Sequence, residues 1–384
     1  HLKSDPTGFD HWAVLPDQGE YYNPDLIFDG ARERRPGYVT DILTDMAVDF
    51  LEARRDPVRP FLLMLHHKAP HRNWQPAERH LGLYDDTDFP EPPTLRDDYA
   101  TRSRAAVEQE MTIRDHMTLE SDLKLGPPPG RLDEGQRAAW DRAYGPKREA
   151  FRKADPSGDD LLRWKYRRYL QDYLGCVASV DEGVGRVLDA LDATGLAANT
   201  LVVYTSDQGF FLGEHGWFDK RFMYEEALRM PLVARFPGRA RPGTEVGEMV
   251  SNLDFAATLL DAAGLGKPAA MQGASFLPLL LGRRVAGWRT SHYYHYHEFP
   301  AVHMAKRHYG VRTDRFKLIR FYDDIEAWEL YDLERDPLEL RNLWDAPAYE
   351  AVRRGLEAEL ERLRAFYRDV EPGPRGAAPA GGRA

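Results

Sequence analysis

The chain contains one cysteine, Cys176, in 384 residues, which excludes an intrachain disulfide and any zinc site built from thiolates. It also lacks an apolar stretch approaching the roughly 18 residues that a membrane-spanning helix needs. Positive charge is outnumbered. Lys and Arg number 52 against 62 Asp and Glu, a formal net charge of −10, and no long basic run occurs. Nucleic acid and anionic membranes are therefore disfavoured as partners, since neither gains an electrostatic attraction. No HExxH sequence offers a ready zinc site. The first residue is His1, without Met or a positive-then-apolar leader, so the chain is expected to be a processed or truncated product. What is there is ordinary for a globular protein: 42% hydrophobic and 30% charged residues, enough to bury a sizeable core.

Two apolar runs read as buried strands, Pro60 to Leu65, which delivers the polar loop His66-His67-Lys68-Ala69-Pro70-His71, and Thr200 to Thr205, which ends at Ser206-Asp207-Gln208-Gly209. Between them Leu174, Val177, Val180, Val184, Val187, Leu188 and Leu191 recur at helical spacing, and Gly195 closes the helix. A third apolar run at Met230 to Phe236 and a helix from Asp254 to Ala263 complete the rhythm of a layered α/β domain over about residues 1–290. The segment from about 85 to 160 breaks that rhythm with dense charge and Gly126-Pro127-Pro128-Pro129-Gly130, and reads as helical insertions with an exposed loop. Residues 291–370 form a small α+β subdomain, with short strands near Tyr309 to Arg312, Phe316 to Phe321 and Trp328 to Tyr331, then a helix from about Ala348 to Tyr367. The Pro, Gly and Ala-rich tail, 371–384, is expected to be disordered.

Nine of the 13 histidines fall between His66 and His80 or between His292 and His308. His67 and His71, directly after a strand, suit a catalytic loop, and His67-x-x-x-His71 has zinc-ligand spacing but no evident third ligand. Asp207 and Gln208 supply hard oxygens suited to calcium or magnesium, although Asp before a Gly-containing loop is also common in plain turns. Lys220 and Arg221 place two cations in a Gly-punctuated loop, where they could bind an oxyanion. In the stretch His292 to His303, alternation sends His295 and His297 to one face and Tyr294, Tyr296 and Glu298 to the other. An edge strand with a solvated face accounts for this; so does a pocket in which His295, Glu298 and His303 contact a sugar, because aromatic rings beside imidazole and carboxylate groups suit a pyranose.

Thr205 to Gly216, followed by Asp219-Lys220 and Tyr224 to Pro231, resembles the second signature block of the type I sulfatases. His66 to Trp74 is similar to that family's His-Lys-Ala-Pro-His loop, and Tyr309 to Arg320 with Trp328 to Pro337 resemble its C-terminal subdomain. The nearest flavour within the family is that of the N-acetylglucosamine-6-sulfatases and iduronate-2-sulfatases. The resemblance implies an alkaline-phosphatase-like α/β fold, with a mixed sheet between helices and a small C-terminal α+β subdomain. It implies a sulfuric ester hydrolase acting on sulfated carbohydrate, periplasmic or secreted, with a calcium (or magnesium) ion and a formylglycine nucleophile made from Cys or Ser. Carried over, Asp207 and Gln208 match the late metal pair, and Lys220 matches the sulfate-binding lysine. His71 matches the histidine beside the leaving oxygen, His1 the end of a Gly-Lys-Trp-His-Leu-Gly stretch, and His67 and Lys68 substrate-binding positions.

The chain departs from the family in having neither a Cys-x-Pro-x-Arg nor a Ser-x-Pro-x-Arg motif. Cys176 lies inside the amphipathic helix, where a small buried apolar role suits it better than that of a nucleophile. The formylglycine and half the metal site are thus expected upstream of His1, and the isolated chain is expected to be inactive. The alternatives are a phosphate or phosphonate monoester hydrolase of the same superfamily and a non-catalytic protein that binds sulfated glycans.

Overall fold

A computed structural model describes residues 4–369; His1, expected at the site, and the tail, expected to be disordered, lie outside the described residues. The chain divides into two compact units, one comprising the residues up to Pro92 with Thr112–Thr200, the other Pro93–Met111 with Leu201 onward.

In the first unit helix α1 (Val39–Asp49), helix α2 (Glu134–Ala154) and the long helix α3 (Gly158–Ala193) accompany a three-stranded antiparallel sheet of β1 (Ala13–Val14), β2 (Asp25–Phe28) and β3 (Ala31–Arg34). Asp133 starts α2 with a capping box, accepting from the Gln136 amide while the Gln136 side chain returns to the Asp133 backbone. Of the apolar stripe seen in the sequence, Val180 and Leu191 are buried and the other five residues half-buried, while Asp172, Gly175, Cys176, Ser179 and Gly183 also belong to the buried face of α3. Gly195 takes the left-handed conformation (φ +71°) just past its end. Where α1 meets α3, a methyl group on Gly183 would come within 2.5 Å of Thr44 Oγ1, so only glycine permits this approach.

The second unit begins with β4 (Val202–Thr205), then β5 (Phe211–Leu212) pairs with β6 (Phe218–Asp219), and β7 (Leu232–Arg235) runs antiparallel to β4. Helix α4 (Asp254–Ala262) follows. Strands β8 (Ser291–Tyr296), β9 (His308–Thr313), β10 (Phe316–Phe321) and β11 (Ala327–Asp332) make an antiparallel sheet in the order β11-β10-β9-β8, with helix α5 (Glu350–Tyr367) after it. One face of this sheet packs on α5 through Leu318, Leu330, Leu356, Leu360 and Leu363. The other shares a core with Phe211, Trp217, Phe222 and Tyr224. That shared core is why the units divide at Thr200 and not near residue 290.

One expectation needs correction. Pro60 to Leu65 pairs with no strand among the described residues; Leu62 and Met64 are exposed while Phe61, Leu63 and Leu65 are half-buried. An apolar run can become a sheet strand only where a neighbour supplies backbone partners, and none does so here. The charged segment divides between the units, with Pro93–Met111 in the second. No helix among the described residues is long and apolar enough to cross a membrane.

Candidate active site

In the second unit, β4 ends at Thr205 and presents Asp207, which is exposed, and Gln208, which is half-buried. Ser206 Oγ donates to the Gln208 carbonyl at 2.9 Å and shapes the turn. A Cβ at Gly209 would sit 2.0 Å from the Glu226 carbonyl, and the Gly209 amide donates to the Ala227 carbonyl at 2.9 Å, so the loop is sewn to the helical turn Glu225–Leu228. The two donors fit a hard cation in kind, one carboxylate oxygen and one amide oxygen. Asp207 joins no group of three or more His, Cys, Asp or Glu able to share an ion among the described residues. The two residues therefore suit a hard cation in donor type and supply only two of the oxygens such a site needs.

The β5–β6 hairpin carries the cations. Buried Trp217 stacks on Phe222 at 4.9 Å, and buried His215 touches Asp97 Oδ2 through Nδ1 at 2.9 Å. Burial lowers the His215 pKa, with the Arg102 charge adding to it against the pull of Asp97. The next turn is strained, with φ of +74° at Asp219 and +130° at Arg221. Asp219 Oδ2 lies 2.9 Å from Arg221 Nη1 and 2.9 Å from His303 Nε2, and Asp219 Oδ1 lies 3.2 Å from Lys220 Nζ. Burial pushes the Asp219 carboxyl up, but the His303 hydrogen bond and the Lys220 and Arg221 charges outweigh it and hold the carboxyl well below the usual carboxylate range. His303 Nδ1 faces the Glu110 carbonyl at 2.7 Å. Buried Arg221 Nε makes no hydrogen bond among the described residues, so this group retains a donor on a cation, while Asp219 Oδ1 is taken up by the Lys220 ion pair.

Of the three residues expected to meet a sugar, the structure brings His303 into this group and sets His295 apart. Tyr294 OH donates to the Arg221 carbonyl at 2.8 Å, and Tyr294 and Tyr296 both stack on His308. Exposed Glu298 accepts from Tyr296 OH at 3.4 Å. His295 is on the opposite face of β8, bonded to Asp369 and to Tyr322 OH, because successive side chains of a strand alternate. His295 therefore does not join the Asp219 group, with which Glu298 and Tyr294 share a face.

In the first unit the loop after Leu65 is held by Arg72, which pairs with buried Asp122 through two nitrogens at 2.7 and 2.6 Å, and by Trp74, whose Nε1 donates to the Pro70 carbonyl at 2.8 Å. Tyr21 OH donates to the His71 carbonyl at 2.6 Å. His71 Nδ1 donates to the Arg72 carbonyl at 2.7 Å. This fixes Nε2 as the nitrogen that can exchange a proton with a ligand. Lys68 Nζ donates to the Gln18 carbonyl at 3.0 Å and lies 4.8 Å over the Tyr21 ring. Both His67 ring nitrogens are buried without a hydrogen-bond partner, and burial, aided by His66, lowers its pKa to about 4. The thiol of buried Cys176 is pushed up to about 12 by burial, which keeps it from serving as a thiolate.

Sequence reasoning singles out Lys220 and Arg221 as cations for an oxyanion but passes over Asp219, the carboxylate between them and His303. It also passed over Asp97 and Arg102, which support His215 from a segment whose charge density marks it only as polar.

The Sulfatase family model matches residues 4–265, and the model for N-sulphoglucosamine sulphohydrolase, C-terminal, matches residues 213–366. The chain is 48% identical over 391 residues to the N-acetylglucosamine-6-O-sulfatase of Bacteroides thetaiotaomicron, an alignment covering 97% of this chain and 70% of that protein. It is 28% identical to the human N-acetylglucosamine-6-sulfatase, over 75% of this chain and 45% of that one. A solved structure described as a complex with its substrate D-glucosamine-2-N,6-O-disulfate superposes with a TM-score of 0.94 at 47% identity, covering 98% of this chain and 80% of that one.

Proposed function

Because the chain belongs to the sulfatase family of sulfuric ester hydrolases and shares its alkaline-phosphatase-like α/β fold, we propose that the protein hydrolyses the 6-O-sulfate ester of an N-acetylglucosamine or related glucosamine residue. The observation that carries this reading is the group Asp219, Lys220, Arg221 and His303. A strained turn there holds two cations and a carboxylate, with hydrogen-bonding capacity left over for an anionic, hydroxyl-rich ligand. The likeness to a 6-O-sulfatase and to a structure holding a 6-O-sulfated glucosamine supports the choice of sugar.

In this reading Lys220 neutralises sulfate oxygens, while Asp219, Arg221, His303 and Glu298 hold hydroxyls of the sugar. His71, with Nδ1 committed to a carbonyl, offers Nε2 to the oxygen that leaves as the alcohol. His67 and Lys68 line the same loop as substrate contacts. Asp207 and Gln208 would hold a calcium ion, whose chemistry would be to draw charge off the ester oxygens, with a formylglycine supplying the nucleophile. The chain itself contains no motif from which that formylglycine could be made.

The test is a pair of variants on a pair of substrates, using the natural-length enzyme. A poor leaving group needs a proton far more than a good one does. His71→Ala should therefore lower kcat/KM for 6-O-sulfated N-acetylglucosamine by about a hundredfold or more, and for nitrophenyl sulfate by less than about tenfold. Lys220→Ala should depress both substrates alike. Equal losses on both substrates for His71→Ala would remove the proton-donor role, and faster hydrolysis of an aryl phosphonate than of any sulfate would sink the sulfatase reading.

A further inference from the structure

Strand β8 is the edge of its sheet, and its face turned away from Tyr294 carries His295 and His297, two residues apart. Their rings lie 3.6 Å apart, centroid to centroid. Asp369 joins them from the turn after α5, a turn closed by Arg368 in the left-handed conformation and by the Asp369 amide donating to the Arg364 carbonyl at 2.9 Å. The ligand atoms of all three side chains lie within 4.8 Å of one another, and among the described residues no other group of His, Cys, Asp and Glu does this.

The partners around this group suit a metal. His295 Nε2 lies 2.7 Å from Tyr322 OH, and the Asp369 carboxylate accepts from Tyr293 OH. The hydroxyl of Tyr322 can accept as well as donate. Without a metal, His295 Nδ1 donates to the Asp369 carboxylate, which only accepts; a metal would displace that proton, and Nε2 could then carry one towards the Tyr322 hydroxyl. Outer partners orient metal-binding histidines and carboxylates in the same way. His297 is exposed, and its ring makes no hydrogen bond among the described residues. Two neutral imidazoles and one carboxylate form a borderline donor set of charge −1, the set used for zinc, with a fourth position left to water. Ligands of one tetrahedral zinc lie about 3.3 Å apart, a closing movement within the reach of side-chain rotation.

We propose that His295, His297 and Asp369 bind one zinc-class divalent ion that clasps the end of α5 to the edge strand β8. The assignment stands whether or not the sulfate-ester reading holds, since it uses none of the same residues. In the test, the natural-length protein is stripped with a chelator and titrated with zinc chloride in excess calcium, which occupies hard-oxygen sites. Three outcomes are expected. One equivalent of zinc binds and raises the unfolding temperature; cobalt in its place gives the strong visible bands of tetrahedral coordination; and His297→Ala weakens zinc binding by at least about tenfold while leaving sulfate release unchanged. His297 is exposed and packs only on the His295 ring among the ring contacts of the described residues, and an unchanged far-ultraviolet circular dichroism spectrum checks that its variant folds. Zinc affinity unchanged in His297→Ala, or lost in Asp207→Asn instead, would overturn the assignment.

Discussion

Glu226 shows how a single buried group sets a pH limit on this protein. Its Oε2 is buried without a hydrogen bond, 3.8 Å from the equally unpartnered His215 Nε2. Burial raises its carboxyl from 4.5 to about 7, with Glu339 and Glu214 adding to the rise. Below about pH 4.5 the folded and unfolded chains both hold this proton. Between 4.5 and about 7 the folded chain keeps a proton that the unfolded chain has released, so stability falls as pH rises through that window. The fall is on the order of 3 kcal/mol. Glu226→Gln removes the titration, so its advantage over the wild type should grow from near zero at pH 4.5 to most of that amount at pH 8. Denaturation at the two pH values checks it, and a variant equally destabilised at both would show that the carboxyl is needed for packing alone.

At the scale of elements, legibility followed the locality of the signal. The stripe from Leu174 to Leu191 and the stop at Gly195 located the C-terminal half of α3, and the three short apolar runs after His308 became β9, β10 and β11 within a residue or two. Each of these carries its own period and its own turn residues. Asp207-Gln208 was readable as a donor pair because it ends a strand. Pro60 to Leu65 misled because an apolar run does not say whether a neighbouring strand exists. For His295, alternation fixes which residues share a face and leaves open which face meets a ligand. The docking of α5 tests the same logic energetically. Leu360, a residue of α5 in the core it shares with β9 and β10, is 1% exposed, whereas Phe366 is 57% exposed. Leu360→Ala should cost about 2–5 kcal/mol and Phe366→Ala under about 0.5 kcal/mol. Hydrogen exchange at the β9 and β10 amides reads this locally, which matters in a chain of two compact units where a single unfolding midpoint can mix them. Similar protection in both variants would mean that α5 does not stabilise the sheet.

For the whole molecule, the sum of charges conflicts with the task proposed for it. The chain carries a net −10, and a sulfated sugar is itself an anion. At the Lys220 group the two cations are partly cancelled by Asp219, leaving a formal +1 from those three residues. So small an excess exerts its attraction over a few ångströms, where the ligand is already seated, while the negative surroundings repel it at longer range. Salt shortens the long-range field first, since the screening length falls from about 30 Å at 0.01 M to about 8 Å at 0.15 M. Raising sodium chloride between those concentrations should therefore leave kcat/KM for a sulfated aminosugar unchanged or raise it by a few-fold. An uncharged ester of the same sugar serves as the control for effects of salt on the protein itself. A steep fall with salt for the sulfated substrate alone would show that a positive field draws it in from a distance. The work of capture would then belong to cations beyond Lys220 and Arg221.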